Sequence, residues 1–541
     1  MKLVSISKTL GLVITLTLLA SALAKSDKHH DKHTKDEVVK FVQGGAPAGG
    51  NGSRKHPYNS LQTAQTDASW NVLVVLSSAV ALTDGIILSN RNLIGEENPT
   101  CITLSATQPT LSTLGVTVIG NATIENIYFL NSTTSAINYD QAENLRVKNV
   151  LISGSNSGNA GSVIGSAITG TCPNSGNTLL EHVIIRNNNN ATPSLAGVRN
   201  SPTSGAQRKL LACDCEFNGL TNIGILTRPT GTNTTSSVVV KDCYFHDYIT
   251  LQGVGIQCRT MQGATETISV KDSTFSNIVG NVFGGFHMFL NPTASPDLKV
   301  HVEKCSFQET TPNFSLQNVA VFIKNEGSSV ETITENSVAT NLTYFYDSQI
   351  VDAANTTSII HNKLCGNTVT GQIFYRAENV STPPQGSPLP VEITDITRNT
   401  FNGAEAIQIT TTEPYALLEI ISEHNCFTGT GMGSIGFHTT SNFNIGNAVI
   451  IKAHCNSISN FATDINDAGS NVNYLVSRNF WGQPTTSCSS STPCPGTYQI
   501  CQNGMCLGPT TSLGTTGHPF TGYVDASDPL AQSIKCPKGC C

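Results

Sequence analysis

Charge is scarce in this chain. Asp, Glu, Lys and Arg make up 12% of its 541 residues, about half the share in an average soluble protein. The 30 basic and 37 acidic side chains leave a net charge of -7. The basic residues are scattered, so there is no electrostatic footprint for nucleic acid, and none is expected as a partner. Long apolar runs are missing as well: beyond the N-terminus no segment approaches the roughly 20 apolar residues of a membrane span. The mature chain is therefore expected to have no integral membrane segment. Its cysteines show no paired CxxC spacing of a zinc site. The Gly-rich stretch "GGAPAGGNGSRKHPYNSLQTAQ", residues 44–65, lacks the Gly-Lys-Ser/Thr of a phosphate loop.

What is abundant is Gly, Ser, Thr and Asn, the profile of a β-rich extracellular protein. The N-terminus reads as an export signal: Lys2 and Lys8, an apolar stretch from Leu10 to Ala22, and the small-x-small site Ala22-Leu23-Ala24. Residues 1–24 are thus a signal peptide, and a secreted, extracellular or cell-surface location follows. Residues 25–40 form a polar tail containing "KHHDKH". His29, His30 and His33 could gather a metal there, but with nothing apolar to pack, disorder is the cheaper reading. Of the 17 cysteines, Cys488, Cys494, Cys501, Cys506, Cys536, Cys540 and Cys541 crowd the C-terminus. An oxidising compartment favours disulfides, so residues 484–541 read as a Cys-rich appendage.

Between these ends runs a repeat. Segments such as "VKDCYFHD", "VKDSTFSN", "VEKCSFQE" and "ITRNTFNG" share an apolar lead-in, a turn residue and an apolar anchor. The anchors are Phe129, Ile152, Ile185, Phe217, Phe245, Phe275, Phe307, Val338, Leu364, Phe401, Phe427, Ile458 and Trp481, at intervals of 23 to 37 residues. A drifting period with a constant anchor means a fixed rung with loops of variable length. Strands this short bury an apolar face only by stacking on their neighbours. The expected fold is all-β: a right-handed parallel β-helix (solenoid) of about 12–13 coils over residues 71–483. Residues 41–70 form an N-terminal cap, in which Asn59 or Ser60 caps a short helix. Leu61, Ala64 and Ala68 share the face that covers the first coil.

At this point the chain resembles the right-handed β-helix proteins of the pectate-lyase-like superfamily. "GGNGSRKHPYNSLQTAQ" is similar to the opening of secreted bacterial members, and "SRNFWGQP" with "YVDASDPL" to their last coil. That group contains lyases, hydrolases, adhesins and passive surface proteins, so the resemblance implies fold rather than activity.

Candidate chemistry is sparse. Cys215, Cys243 and Cys305 recur two residues before their anchors and read as an inward stack of small buried side chains. Asp214, Asp242 and Asp272 recur three before theirs. They could hold calcium, but Asn126 and Asn149 replace them in neighbouring coils, which favours a left-handed turn position. Arg146, Arg186, Arg199, Arg208 and Arg228 are the arginines available as the base that the resemblance to polyuronate lyases implies, and no companion acidic cluster is evident. Of the polygalacturonase signatures, Asn-Thr-Asp, Asp-Asp and Gly-His-Gly are absent. Insertions at 153–178, 187–208 and 376–391 could project as recognition loops. No catalytic, cofactor-binding or metal-ligating residue is assigned, no cofactor is expected, and calcium enters only with the lyase alternative. The reading is an exported, non-catalytic, adhesin-like or structural β-helix protein that binds a polysaccharide or cell-surface glycan. The alternative is a polysaccharide lyase or glycoside hydrolase acting on a polyuronate or other polysaccharide. A groove lined by Asp, Arg and His from several coils with shifted pKa values would favour that alternative.

Overall fold

The computed structural model describes residues 37–481 with short interruptions, and beyond them the backbone of 500–502, 505–507, 511–513 and 524–525. The expected signal peptide, the His29, His30 and His33 tail and most of the Cys-rich C-terminal segment lie outside the described residues. So do parts of the three insertions.

The chain winds into a parallel β-solenoid of about 11 turns. Each full turn lays down up to three strands, one in each of three sheets that run along the column. The first sheet includes Gln207–Cys213, Thr235–Lys241, Thr265–Lys271, Asp297–Glu303 and Ser329–Glu335, paired in register with no slip. The second carries the anchors, and the third includes Ile223–Thr227, Gly253–Cys258, Gly285–Leu290 and Asn318–Asn325. The first sheet reaches back to Val39–Val42, which pairs with Val72–Val75. At the other end, Thr511–Leu513 and Val524–Asp525 pair with Ile465–Asp467 and with Tyr474 and Leu475. Ile500–Gln502 and Met505–Leu507 form a separate antiparallel hairpin. The column has about 11 turns where 12–13 coils are expected.

The short helix Leu61–Thr66 forms where its sequence allows. Ser60 is the N-cap and its hydroxyl accepts from the Thr63 amide at 3.0 Å, which satisfies one of the orphan donors of the first turn. Leu61 and Ala64 are buried. Ala68, expected on the same face, lies past the helix end and is exposed. Trp70 is buried instead, its indole N–H donating to the Ala64 carbonyl at 2.7 Å. Among the described residues no helix is long and apolar enough to cross a membrane.

The bend from first to second sheet repeats the same backbone in every coil. Asn126, Asn149, His182, Asp214, Asp242, Asp272, Lys304, Asn336, Gly366, Arg398, His424 and Cys455 all have positive φ, between 48° and 66°. Asn and Asp tolerate this left-handed region best, which is why they dominate the row. The anchor follows three residues later, and this offset corrects two expected anchors. Opposite Phe307 stands Ala339, not Val338, and Ala339 in turn faces Val369, not Leu364. A slip of one residue turns a strand side chain to the other face: Val338 points outward and is 45% exposed. Leu364 precedes the bend and is an inward residue of the first sheet, opposite Ile396.

Packing along the anchor row is complementary in volume. Phe217, Phe245, Phe275 and Phe307 stack with ring centroids 4.6, 4.7 and 5.1 Å apart. Where these rings fill the core, the facing corner of the third sheet is small: a Cβ on Gly255 would stand 2.8 Å from the Phe275 ring and 2.5 Å from the His287 carbonyl oxygen. Where the anchor shrinks to Ala339 and Val369, the corner fills with the buried rings of Phe345 and Phe374. In these coils a large anchor meets a small corner and a small anchor a large one, as close packing requires; the Phe275 coil departs from this, with His287 at the corner.

Candidate functional site

The residues singled out from the sequence resolve mostly into architecture. Cys215, Cys243 and Cys305 are buried, and their thiols reach back to the carbonyls of Leu180, Ala212 and Val270, 3.6, 3.4 and 3.6 Å away. They remain free thiols, as do Cys213, Cys258 and Cys455. Burial pushes the Cys305 thiol up to about 12, which removes nucleophilic character. In later coils the same position is Asn367, Asn399, Asn425, Asn456 and Asn479, all buried. Each Asn side-chain amide reaches back just as the thiols do, for example Asn425 Nδ2 to the Ile396 carbonyl at 2.8 Å. Each side-chain oxygen accepts the backbone amide of the residue one coil before, Ser337 for Asn367 and an Asn thereafter, as in Asn399 N to Asn425 Oδ1 at 2.8 Å. The Cys and Asn runs are one internal ladder.

Asp214, Asp242 and Asp272 occupy the positive-φ bend and are exposed. Asp214 pairs with His182 at 2.8 Å and Asp242 with Lys241 at 3.4 Å, so they are turn residues. Among the described residues no group of three or more His, Cys, Asp or Glu side chains is arranged to hold a metal ion. Arg146 grips Glu181 of the next coil at 2.7 Å, and Arg186 is half-buried at the end of Gly176–Arg186. Arg208 points inward: it is buried, donates to the Ala142 carbonyl and to Thr178 Oγ1, and lies over the Tyr139 ring. Arg146 and Arg208 are therefore held by protein partners rather than free to meet a substrate. Arg199 and Arg228 lie elsewhere, at the edge of the third sheet.

The outer face of that sheet changes character along the column. Through the coil of Phe322 it is apolar: Ile223, Leu226, Val254, Phe286, Phe289, Val319 and Phe322 form a second cluster of buried side chains, separate from the main core. From Tyr344 onward the Phe322 row becomes polar, while the Val319 row runs through Tyr344, Ile373, Glu405 and Ile435. In register, Phe322 is followed by Asp347, Arg376, Gln408 and His438. Arg376 clamps Asp347 with two hydrogen bonds, Nε to Oδ1 at 2.8 Å and Nη2 to Oδ2. Its guanidinium carbon lies 4.3 Å from the centroid of the Tyr344 ring, and Glu378 completes the set at 3.5 Å. Glu405 reaches His438 Nδ1 at 3.2 Å. Asp347 is fully buried, and burial raises its carboxyl to about 6 despite the Arg376 contact. Glu378, Glu405, Gln408 and His438 are half-buried and face outward. Four coils thus contribute acid, base, amide and aromatic groups to one surface. Parallel stacking sets neighbouring members about 4.8 Å apart.

Fold and surface together define a class: a parallel β-solenoid with a polar, charge-rich track on its third sheet. No protein-family model matches the chain, and no curated protein is similar to it.

Proposed function

We propose that the protein is an exported, non-catalytic glycan-binding protein of the pectate-lyase-like β-helix superfamily, and that the track around Glu378, Glu405, Gln408 and His438 is its binding surface. One observation carries this reading: a face that is apolar and buried along half its length turns, at Tyr344, into outward-facing carboxylate, amide and imidazole groups. Repeated acceptors and donors in rows suit the repeated hydroxyl groups of an extended saccharide. The N-terminal export signal and the two stretches similar to secreted β-helix proteins support the location and the superfamily. The carboxyl with the raised pKa, Asp347, is sealed under Arg376 and cannot touch a ligand, which favours binding over bond cleavage.

The presence of Asp, Arg, Glu and His from several coils on one face also favours a second reading, a polysaccharide lyase or glycoside hydrolase. One experiment separates the two. The full chain is incubated with uronate and neutral polysaccharides, and both binding and new unsaturated or reducing ends are measured. Binding without product is expected, weakened at least tenfold in Glu378→Gln/Glu405→Gln. Product that disappears in that variant would establish the enzyme instead, and failure to bind any member of the panel would remove the glycan reading.

A further inference from the structure

Arginines from three successive third-sheet strands converge at the edge where the chain leaves that sheet for the first. Arg199 ends the run Ala196–Asn200, and Arg228 and Arg259 directly follow Ile223–Thr227 and Gly253–Cys258. The backbone links Arg228 N to the Asn200 carbonyl and Arg259 N to the Thr227 carbonyl, both at 2.9 Å, so Arg228 and Arg259 stand on adjacent rungs of one row. Arg199 is 8% exposed, with its Nε donating to Ser201 Oγ at 3.1 Å. Arg228 is half-buried, and its Nε faces only the soft Met261 sulfur at 3.4 Å. Arg259 is exposed.

Cations elsewhere on the column are matched across rungs: Lys271 to Glu303, Lys299 to Glu331, Arg376 to Asp347. By contrast, no ion pair joins Arg228 or Arg259 to a carboxylate among the described residues. The anionic side chains that do act on the group are Asp140 near Arg199 and Glu326 near Arg259, and Glu326 is already engaged by Lys324 at 3.1 Å. Burial lowers the proton affinity of Arg199 and Arg259, and repulsion from Arg228 lowers it further. In a chain of net charge -7, a repelling pair of guanidiniums on a rigid scaffold is unfavourable for the unliganded fold. Such groups offer fork-shaped donors to planar or tetrahedral oxyanions.

We propose that Arg228 and Arg259, backed by Arg199, bind the single negative charges spaced along an acidic polysaccharide, carboxylates or sulfate esters. The inference rests on the glycan-binding reading but concerns a different place on the third sheet. The row holding Arg228 and Arg259 continues over later coils to Lys324, Gln349 and Glu378, so one chain could run from this edge onto the polar track.

The test titrates the full chain with polygalacturonate, dextran sulfate, uncharged dextran and single-stranded DNA, at low and raised salt. The variants are Arg228→Gln/Arg259→Gln and, as a control that removes a cation from the first sheet, Lys299→Gln. The expected result is salt-sensitive binding of one or both acidic polysaccharides, weakened at least tenfold by the double arginine variant and not by Lys299→Gln. The polymer that binds more tightly identifies carboxylate or sulfate as the source. Both arginines are at the surface, and an unchanged thermal midpoint certifies the fold. Acidic-polymer binding equal in parent and double variant, or absent from both, overturns the proposal, as does a preference for DNA over both polysaccharides. If dextran binds through Glu378 while the acidic polymers fail, the glycan track stands and the arginine site falls. If the acidic polymers bind through the arginines and Glu378 and Glu405 are irrelevant, the reverse holds.

Discussion

Asn425→Ala is expected to lower stability by about 3 kcal/mol or more, read as a shift of the denaturant midpoint. Asn425 sits at the centre of the internal ladder. Its side-chain oxygen accepts both the Asn399 amide and the Asn399 side chain, at 2.8 and 3.0 Å. Its nitrogen donates to the Ile396 carbonyl at 2.8 Å and to Asn456 Oδ1 at 3.0 Å. Alanine takes the side-chain partner from the buried Asn399 N–H and Ile396 carbonyl, each costing about 1–3 kcal/mol when left without one. Asn425→Ser should recover roughly half the loss, because serine already does this work in earlier coils: Ser273 and Ser337 hydroxyls accept the amides of Cys243 and Cys305 at 3.1 Å. Serine is too short to reach the Ile396 carbonyl, so recovery is partial. An Ala variant as stable as the parent would show that the ladder is dispensable. Because a solenoid can unfold in segments, the midpoint is best followed with a probe of total β-structure.

The second large effect depends on pH. Glu392 lies wholly inside the column, with Tyr375 donating its hydroxyl and Asn362 its amide at 3.3 Å. Burial raises its carboxyl to about 7, against an ordinary glutamate value of about 4.3. Between those values the folded state holds a proton that the unfolded chain has released. The stabilising contribution is therefore complete in acid, declines as pH rises and is lost once pH passes about 7. Parent stability should fall by about 3 kcal/mol between pH 4.5 and 8 from this group, and Asp347 adds to the fall below about 6. Glu392→Gln keeps an acceptor for the Tyr375 hydroxyl and carries no charge at any pH. It should match the parent at pH 4.5 and exceed it at pH 8. Parallel pH profiles for the two proteins would contradict the assignment.

The architecture was legible because stacking ties a residue type to a position in every coil. The Phe anchors, the inward cysteines and the Asp and Asn bends each repeat one physical requirement, and those readings agree with the structure. The register differs at Val338 and Leu364 because the bend there falls on Asn336 and Gly366, which puts the small residues Ala339 and Val369 in the anchor row beside more conspicuous apolar neighbours. With Ala339 and Val369 in place, the ladder spacings from Cys305 to Ser337, Asn367 and Asn399 become 32, 30 and 32 residues. Asn399 and Asn425 lie one residue past the bends at Arg398 and His424 and, with Asn479, carry the ladder.

The charged track was invisible for a different reason. Asp347 and Arg376 are 29 residues apart, and Glu405 and His438 are 33 apart; each belongs to a third-sheet strand reached through loops of unequal length. A signal did exist: "TYFYDSQ", "QIFYRAE" and "GFHTT" show polar residues appearing at outward positions of an aromatic strand. Reading it required the third-strand register, which the anchors alone do not provide. Arg208 shows the converse failure, since nothing local to the sequence marks it as inward.

Carbodiimide labelling of carboxylates, with and without a saturating glycan from the binding panel, tests the assignment of the binding face most directly. Glu378 and Glu405 on the third sheet should be protected at least severalfold by the ligand. Glu331 and Glu419 on the first sheet, engaged there by Lys299 and Lys452, should label equally in both states. Protection of Glu331 and Glu419, with Glu378 and Glu405 unchanged, would contradict the assignment.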